Sequence, residues 1–200
     1  GVIIENNANL IQIDNVANTG AITVKRNSNS LKRLDYTMWS SPVGTTQTLS
    51  NFSPLTSSNR FYEYNPITNL YSAVTSTSTF SQGKGFLIRM PNEDPDNLGT
   101  GSPYYGGTTS IIYKAVFTGI PNNGNINLNS LTTDKYYAIG NPYPSTISAN
   151  AFLSGNSTAG ALYFWRKTNG LANSNSAYAT YTTLGGTVAG NIAPNNIIPN

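Results

Sequence analysis

The chain contains no cysteine and no histidine among its 200 residues. This excludes a disulfide framework, a thiolate nucleophile, zinc sites built on Cys or His, and any catalytic triad that needs an imidazole. Charge is also scarce: 10% of residues are charged, against about 25% in a typical soluble domain. The net charge of +3 comes from 11 basic and 8 acidic residues. The basic residues are scattered, apart from Lys25-Arg26 and Lys32-Arg33. No dense phosphate-binding stripe results, which argues against a nucleic-acid partner. The pI near 9.1 permits contact with anionic glycans without arguing for it. No run approaches the roughly 18 to 20 apolar residues of a membrane helix, so no membrane insertion is expected. The opening "GVIIENNANL" has no basic start or cleavage site and reads as part of a mature product or an excised fragment. Helical periodicity is nearly missing. One or two turns are expected in "ISANAFLSG", residues 147–155, with Ser148 as cap and Gly155 as stop.

Asparagine, threonine, serine and glycine supply the polarity instead, and tyrosine outnumbers phenylalanine by 13 to 7. Tyrosine suits strands and tolerates water at its hydroxyl. Strand patterns recur as "GVIIE", "NLIQID", "AITVKR", "LDYTMWSS", "RFYEYN", "LYSAVT", "KGFLIRM", "SIIYKAVFTGI", "NINLN", "KYYAIGN", "ALYFWRK" and "AYATYTTL". Asn123-Gly124 predicts a hairpin between "AVFTGI" and "NINLN". "NPITNL" and "KTNGL" predict turns between aromatic strands. The fold expected is therefore all-β, an antiparallel sandwich.

One unusual phrase appears twice, as "YTMWSSPVGTTQTLSNFSP" and "YYAIGNPYPSTISANAFLS", with Pro42 and Pro142 standing 100 positions apart (142 − 42). Strand, proline corner, aromatic strand, Asn turn and Tyr strand follow in the same order each time. This predicts two duplicated halves, residues 35–134 and 135–200, behind a strand-rich leader at residues 1–34. Proline cannot donate to a ladder and holds its predecessor extended, so each corner would let a strand leave its sheet in a fixed direction.

The motifs "LDYTMWSSPV", "GKGFLIRMP", "FTGIPNNGNINL", "YYAIGNPYPSTISANAFL" and "LYFWRKTNG…YATY" together resemble a β-rich module of large secreted, adhesin-like proteins of flavobacteria and their relatives. In those proteins the module precedes a sorting domain of the type IX secretion system. The resemblance spans nearly the whole chain. It implies an extracellular or cell-surface bacterial setting and carries over no catalytic residue. In the family, the second half continues past a segment like "NIAPNNIIPN" into a counterpart of the strand "GKGFLIRM". Here the second half stops at Asn200 without it.

The leading expectation is thus a non-catalytic structural or adhesive module. Its partners would be its own chain as a homopolymer, neighbouring domains of a larger protein, or surface glycans. If the second half lacks its last strand, its vacant edge invites another strand. Val2, Ile3, Ile4, Leu10, Ile11 and Ile13 make the leader a candidate donor to a neighbouring copy. The alternative is a carbohydrate-binding module that stacks aromatics on sugar rings, with Trp39, Tyr143 and Trp165 as candidates from a pool that includes Tyr62, Tyr64, Tyr104, Tyr105 and Tyr181. Alternation in "YFWR" puts Tyr163 and Trp165 on one face and Phe164 on the other. A glycoside hydrolase or lyase is disfavoured by the few acids, although the duplication could pair Asp35 with Asp134. No cofactor is expected beyond calcium, for which Glu93, Asp94 and Asp96 in "NEDPDNLGTG" offer oxygen ligands. A solvated acidic turn is the plainer reading of that stretch.

Overall fold

The alternating patterns become strands in a computed structural model that describes residues 1–44, 46–129, 131–167 and 177–187. The chain forms two compact units, Gly1–Ser145 and Thr146–Asn200. The first contains β1 (Val2–Ile4), β2 (Ile22–Leu31), β3 (Tyr36–Trp39), β4 (Val43–Gly44), α1 (Leu49–Phe52), β5 (Phe61–Asn65), β6 (Leu70–Ala73), β7 (Phe86–Arg89) and β8 (Ile111–Pro121). The second contains α2 (Ala149–Gly155), β9 (Leu162–Arg166), β10 (Ala177–Thr182) and β11 (Gly185–Thr187).

The first unit is a sandwich of two four-stranded sheets, ordered β1-β2-β8-β4 and β3-β7-β5-β6. The spine of the first sheet is the long antiparallel pair β2–β8, with Val24 opposite Phe117 and Arg26 opposite Ala115. On β8 the residues Tyr113, Ala115 and Phe117 are buried while Lys114 and Val116 face outward, the period-2 pattern of a half-buried strand. Val24, Phe61, Phe86, Ile88 and Phe117 meet in the core, with Trp39 packed against it. Phe52 on the short α1 sits at its centre: its ring stacks on Phe117 at 4.8 Å and meets Phe80 at 5.1 Å and Trp39 at 5.4 Å.

The fold is all-β and its sheets are antiparallel, with one departure. β1 runs parallel to β2, with Val2 opposite Ile22 and Ile4 opposite Val24. Residues 1–34 are therefore not a separate leader, because β2 is an interior strand of the first sheet. Residues 9–13 form no strand. Instead Leu10 N donates to Pro144 O. The Asn123-Gly124 hairpin does not form either, and residues 125–129 are not a strand. The Asn123 amide donates to Asp14 O and Val16 O, at 2.7 and 2.9 Å, so the turn's polarity is used to fasten the N-terminal segment. Gly124 is required there: its φ is +69°, and a Cβ would lie 2.0 Å from Asn15 Oδ1.

The first proline corner carries the chain out of its sheet as expected, but the strand expected before the second does not form: in residues 135–141 only Ile139 makes an isolated bridge, to Lys84. After Trp39 the chain leaves the second sheet through Ser40-Ser41-Pro42 and enters the first as β4, with Val43 opposite Pro121. Residues 138–140 lie against residues 83–85, just before β7, through Gly85 N to Ala138 O and Gly140 N to Gly83 O. This draws the start of the second phrase into the first unit, so the units divide at residue 145 rather than 134. A Cβ on Gly140 would come within 2.2 Å of the Ser40 Cβ. The buried Asn122 holds both corners: its N–H donates to Pro42 O at 3.2 Å and its Nδ2 to Pro142 O at 2.8 Å. Its Oδ1 accepts from Gln82 Nε2 at 2.6 Å.

The second unit contains the three-stranded antiparallel sheet β11-β10-β9, with α2 packed on β10. The expected helix is present, capped by Ser148 Oγ, which accepts from Ala151 N. Helix α1 was not anticipated. It is capped in the same manner by Thr48, which accepts from Asn51 N. In both units a capped short helix precedes an antiparallel aromatic hairpin, β5–β6 in one and β9–β10 in the other. The "KTNGL" turn and any closing strand after Thr187 lie outside the described residues.

Candidate functional site

The side of the second sheet opposite the core carries a concentrated set of aromatic and basic residues. Alternation on β3 sends Trp39 inward and Tyr36 and Met38 outward, and on β5 it sends Phe61 inward and Tyr62 and Tyr64 outward. Register then aligns rows across the sheet. Tyr36 lies opposite Arg89, Met38 opposite Leu87, Leu87 opposite Tyr62, and Tyr64 opposite Tyr71. The rings of Tyr36 and Tyr62 meet edge to face at 5.9 Å, and those of Tyr64 and Tyr71 at 5.4 Å. Tyr71 OH reaches Met38 Sδ at 3.9 Å, and Tyr64 OH donates to Asn69 Oδ1. All four tyrosines are half-buried. Their rings are therefore fixed by neighbours while part of each faces outward.

One end of this face is basic. Arg89 N donates to Arg60 O, so Arg60 and Arg89 emerge side by side. Arg60 Nη1 donates to Tyr62 OH at 3.1 Å, and Arg89 Nη2 to Asn92 Oδ1 at 2.5 Å. The Arg33 guanidinium lies 4.7 Å above the Tyr105 ring. Among the described residues the ion pairs are Lys25–Glu5, Lys84–Glu63 and Lys114–Asp96, and none involves these arginines. The Tyr62 hydroxyl is held below the usual phenol value chiefly by the hydrogen bond from Arg60. Desolvation pushes Tyr36 up. Arg89 is lowered first by desolvation, and then by the like charges of Arg60 and Arg33.

Of the aromatics expected from sequence, Tyr62 and Tyr64 of the wider pool lie on this face, and the three leading candidates, Trp39, Tyr143 and Trp165, do not. Trp39 packs against the core, its ring 5.4 Å from Phe52 and 6.1 Å from Tyr113, on the side of the sheet away from the tyrosine face. Tyr143 is half-buried and its hydroxyl donates to Gly124 O at 2.6 Å, bracing the turn that fastens the N-terminal segment. Trp165 stands on β9. In the second unit it pairs with Tyr178 at 5.4 Å, edge to face. Register and alternation set Tyr163, Trp165, Tyr178 and Thr180 on one side of the sheet. The other side bears Phe164, Ala179 and Tyr181, and Tyr181 OH donates to Asn150 Oδ1 of α2. Of the wider pool, Tyr104 is buried and its hydroxyl donates to Pro91 O at 2.8 Å.

The acidic turn does not converge. Glu93 Oε2 accepts from Gly99 N, Asp94 Oδ1 from Asp96 N, and Asp96 Oδ2 from Lys114 Nζ. Among the described residues no three of His, Cys, Asp and Glu gather into a metal-binding group. Asp35 Oδ2 accepts from Lys32 N at 2.8 Å, and Asp134 occupies a left-handed turn position with φ +58°. Of the leader's apolar side chains, Ile4 is buried and Leu10 packs on the core. Val2, Ile3, Ile11 and Ile13 are exposed, Ile13 at 92%. Residues 2–4 pair with β2 of their own chain.

Sequence reasoning missed Tyr36, Tyr71, Arg60 and Arg89 as a group. The signal was available in "DYTMW" and "RFYEY". Once Trp39 and Phe61 are assigned to the core, alternation puts Tyr36, Arg60, Tyr62 and Tyr64 on the opposite side.

Among the described residues no helix is long and apolar enough to cross a membrane. No curated protein and no solved structure matches the chain. The model of one family does match, over residues 1–197, so the chain belongs to the family described as "Domain of unknown function (DUF8693)".

Proposed function

We propose that this chain is a non-catalytic adhesive β module of the bacterial cell surface, and that it contacts glycans through the tyrosine-lined face of sheet β3-β7-β5-β6. The observation that carries the reading is the convergence of Tyr36, Tyr62, Tyr64 and Tyr71 on one side of one sheet. Phenol rings offer sugars both a stacking surface and a polar edge, and rings fixed by packing lose little entropy on binding. The acids seen here serve turns and ion pairs, which favours binding over hydrolysis. The extracellular setting rests on the resemblance to secreted adhesin-like modules.

Affinity electrophoresis of the whole chain through gels containing soluble polysaccharides tests this reading. Retardation by at least one polysaccharide is expected, reduced about tenfold in Tyr62→Ala/Tyr64→Ala, the loss of roughly one stacking contact. Migration of wild type and variant alike through every gel would overturn it.

A second reading, self-association, is favoured by the exposed Val2, Ile3, Ile11 and Ile13 beside the edge strand β1. It expects concentration-dependent oligomers in light scattering that disappear in Ile11→Ser/Ile13→Ser. Monomers at high concentration would exclude it.

A further inference from the structure

We infer that Arg33, Arg60 and Arg89 seat the anionic group of an acidic polysaccharide, a carboxylate or sulfate carried on a sugar whose ring lies against Tyr36 and Tyr62. The inference rests on the glycan reading above and adds the charge of the ligand. Three observations carry it. First, the three arginines lie close enough for Arg60 and Arg33 to act on Arg89. Lys25, Lys84 and Lys114 each hold a carboxylate, whereas these three arginines hold none among the described residues. Asp94 acts on the neighbouring Tyr104, as do Arg33 and Arg89, without forming an ion pair with either arginine among the described residues. Second, each guanidinium is oriented by a neutral group and neutralised by none: Arg60 by the Tyr62 hydroxyl, Arg89 by the Asn92 amide, Arg33 by the Tyr105 ring. Third, Arg33 and Arg89 each keep a buried Nε with no hydrogen-bond partner.

Holding like charges together against repulsion is unfavourable, and the most direct relief is an anion that accepts from them. A guanidinium presents paired donors in a planar fork that matches the two oxygens of a carboxylate or sulfate. Tyr36 lies opposite Arg89 on the same face, and Arg60 bonds Tyr62 directly. An anionic substituent seated on the arginines would therefore bring its sugar ring over these phenols. A nucleic acid fits less well, since it requires basic residues spaced along a backbone track rather than three at one end of a sheet.

The whole 200-residue chain is run through gels containing polygalacturonate, sulfated dextran or unmodified dextran, with a single-stranded oligonucleotide as competitor. Retardation is expected with an acidic polysaccharide and at least about tenfold weaker with unmodified dextran. It should decline as salt rises. Arg60→Gln/Arg89→Gln should weaken it by about tenfold or more, Arg60→Lys/Arg89→Lys by less, since lysine keeps the charge but loses the fork. Lys114→Gln removes the same kind of charge from an ion pair elsewhere and should change nothing. Circular dichroism and melting verify that each variant folds, and Arg60→Gln alone serves if the double variant does not. Preference for polygalacturonate identifies a carboxylate, and preference for sulfated dextran a sulfate ester. Three results overturn the inference: equal retardation by unmodified dextran, insensitivity to the arginine variants, or full displacement by the oligonucleotide at matched charge. If retardation is lost in Tyr62→Ala/Tyr64→Ala but not in the arginine variants, the tyrosine face stands and the anion site falls. If no polysaccharide retards the chain, both fall.

Discussion

The aromatic hairpins of the two units share a local plan but differ in what lies beside them. In one, Tyr64 and Tyr71 meet across β5–β6 at 5.4 Å and 74°. In the other, Trp165 and Tyr178 meet across β9–β10 at 5.4 Å and 69°. Each hairpin follows a short helix whose N-cap hydroxyl, Thr48 or Ser148, accepts from the amide three residues on. The phenylalanines at the matching helical positions have different fates. Phe52 is 4% exposed and enters a ring cluster between two sheets. Phe152 is only half-buried, and α2 buries Leu153 instead. Capping and cross-strand pairing are local and can recur wherever the residues recur. Burial depth depends on a second sheet, which one repeated phrase cannot supply.

The sharpest break in this comparison is at the two phenylalanines. Phe52→Ala should lower unfolding stability by about 3–5 kcal/mol, since it empties the centre of a packed aromatic cluster. Phe152→Ala should lose less, roughly 1–2 kcal/mol, in proportion to its smaller burial. Urea titrations of both variants test this, and equal losses would mean that the two helices are equally embedded.

Asn122→Ala comes next. It removes the donor to Pro142 O and the acceptor for Gln82 while leaving the backbone bond to Pro42 O. A loss of about 1–3 kcal/mol is expected, the penalty of unsatisfied buried polar groups. Faster amide exchange at Gly85 and Gly140 should accompany it, because their hydrogen bonds hold the second corner in place. Unchanged exchange there would show that the corners are held independently.

The caps sharpen the comparison from the other side. Thr48→Ala and Ser148→Ala each remove one local acceptor, and each should lower the stability of its helix by about 1 kcal/mol. Similar values are expected although the helices are buried to different depths.

The smallest effect is a pH dependence. Tyr113 is raised above its ordinary value of 10.0, chiefly by desolvation, and its hydroxyl donates to Phe52 O at 2.5 Å. The folded state keeps this proton at a pH where the unfolded chain releases it. The stabilisation is therefore complete below pH 10 and declines as pH rises above it. Melting temperatures between pH 8 and 11 should decline less steeply for Tyr113→Phe than for wild type, though Tyr113→Phe starts lower by about 1 kcal/mol for the lost hydrogen bond. Parallel slopes would remove Tyr113 as a source of alkaline sensitivity.

Much of this architecture was legible in advance. β3, β5, β7 and β8 announce themselves by alternation and by tyrosine and phenylalanine content. Ser148 and Gly155 bracket α2 as the sequence suggests. The candidate site was legible only in part. Tyr62 and Tyr64 stood in the aromatic pool, but Trp39, the more conspicuous residue, was drawn into the core. A large ring gains by packing against other rings, and pattern alone does not say which side of β3 faces the opposite sheet. The Asn-Gly hairpin failed for a related reason. The Asn123 amide found better partners in Asp14 O and Val16 O, more than a hundred positions away, than any local turn provides.

What the sequence determined by itself is the β character, the exclusion of thiol and imidazole chemistry, the capped helix α2 and the strand exit at Pro42. All of these follow from backbone stereochemistry and side-chain type within a few residues. Tertiary structure alone decided that β1 runs parallel to β2, that Asn122 holds both corners, and that Arg60 and Arg89 stand beside Tyr36 and Tyr62. These depend on which strands become neighbours. That choice is made by the burial of the whole core and by long-range hydrogen bonds, and no window along the chain contains both partners.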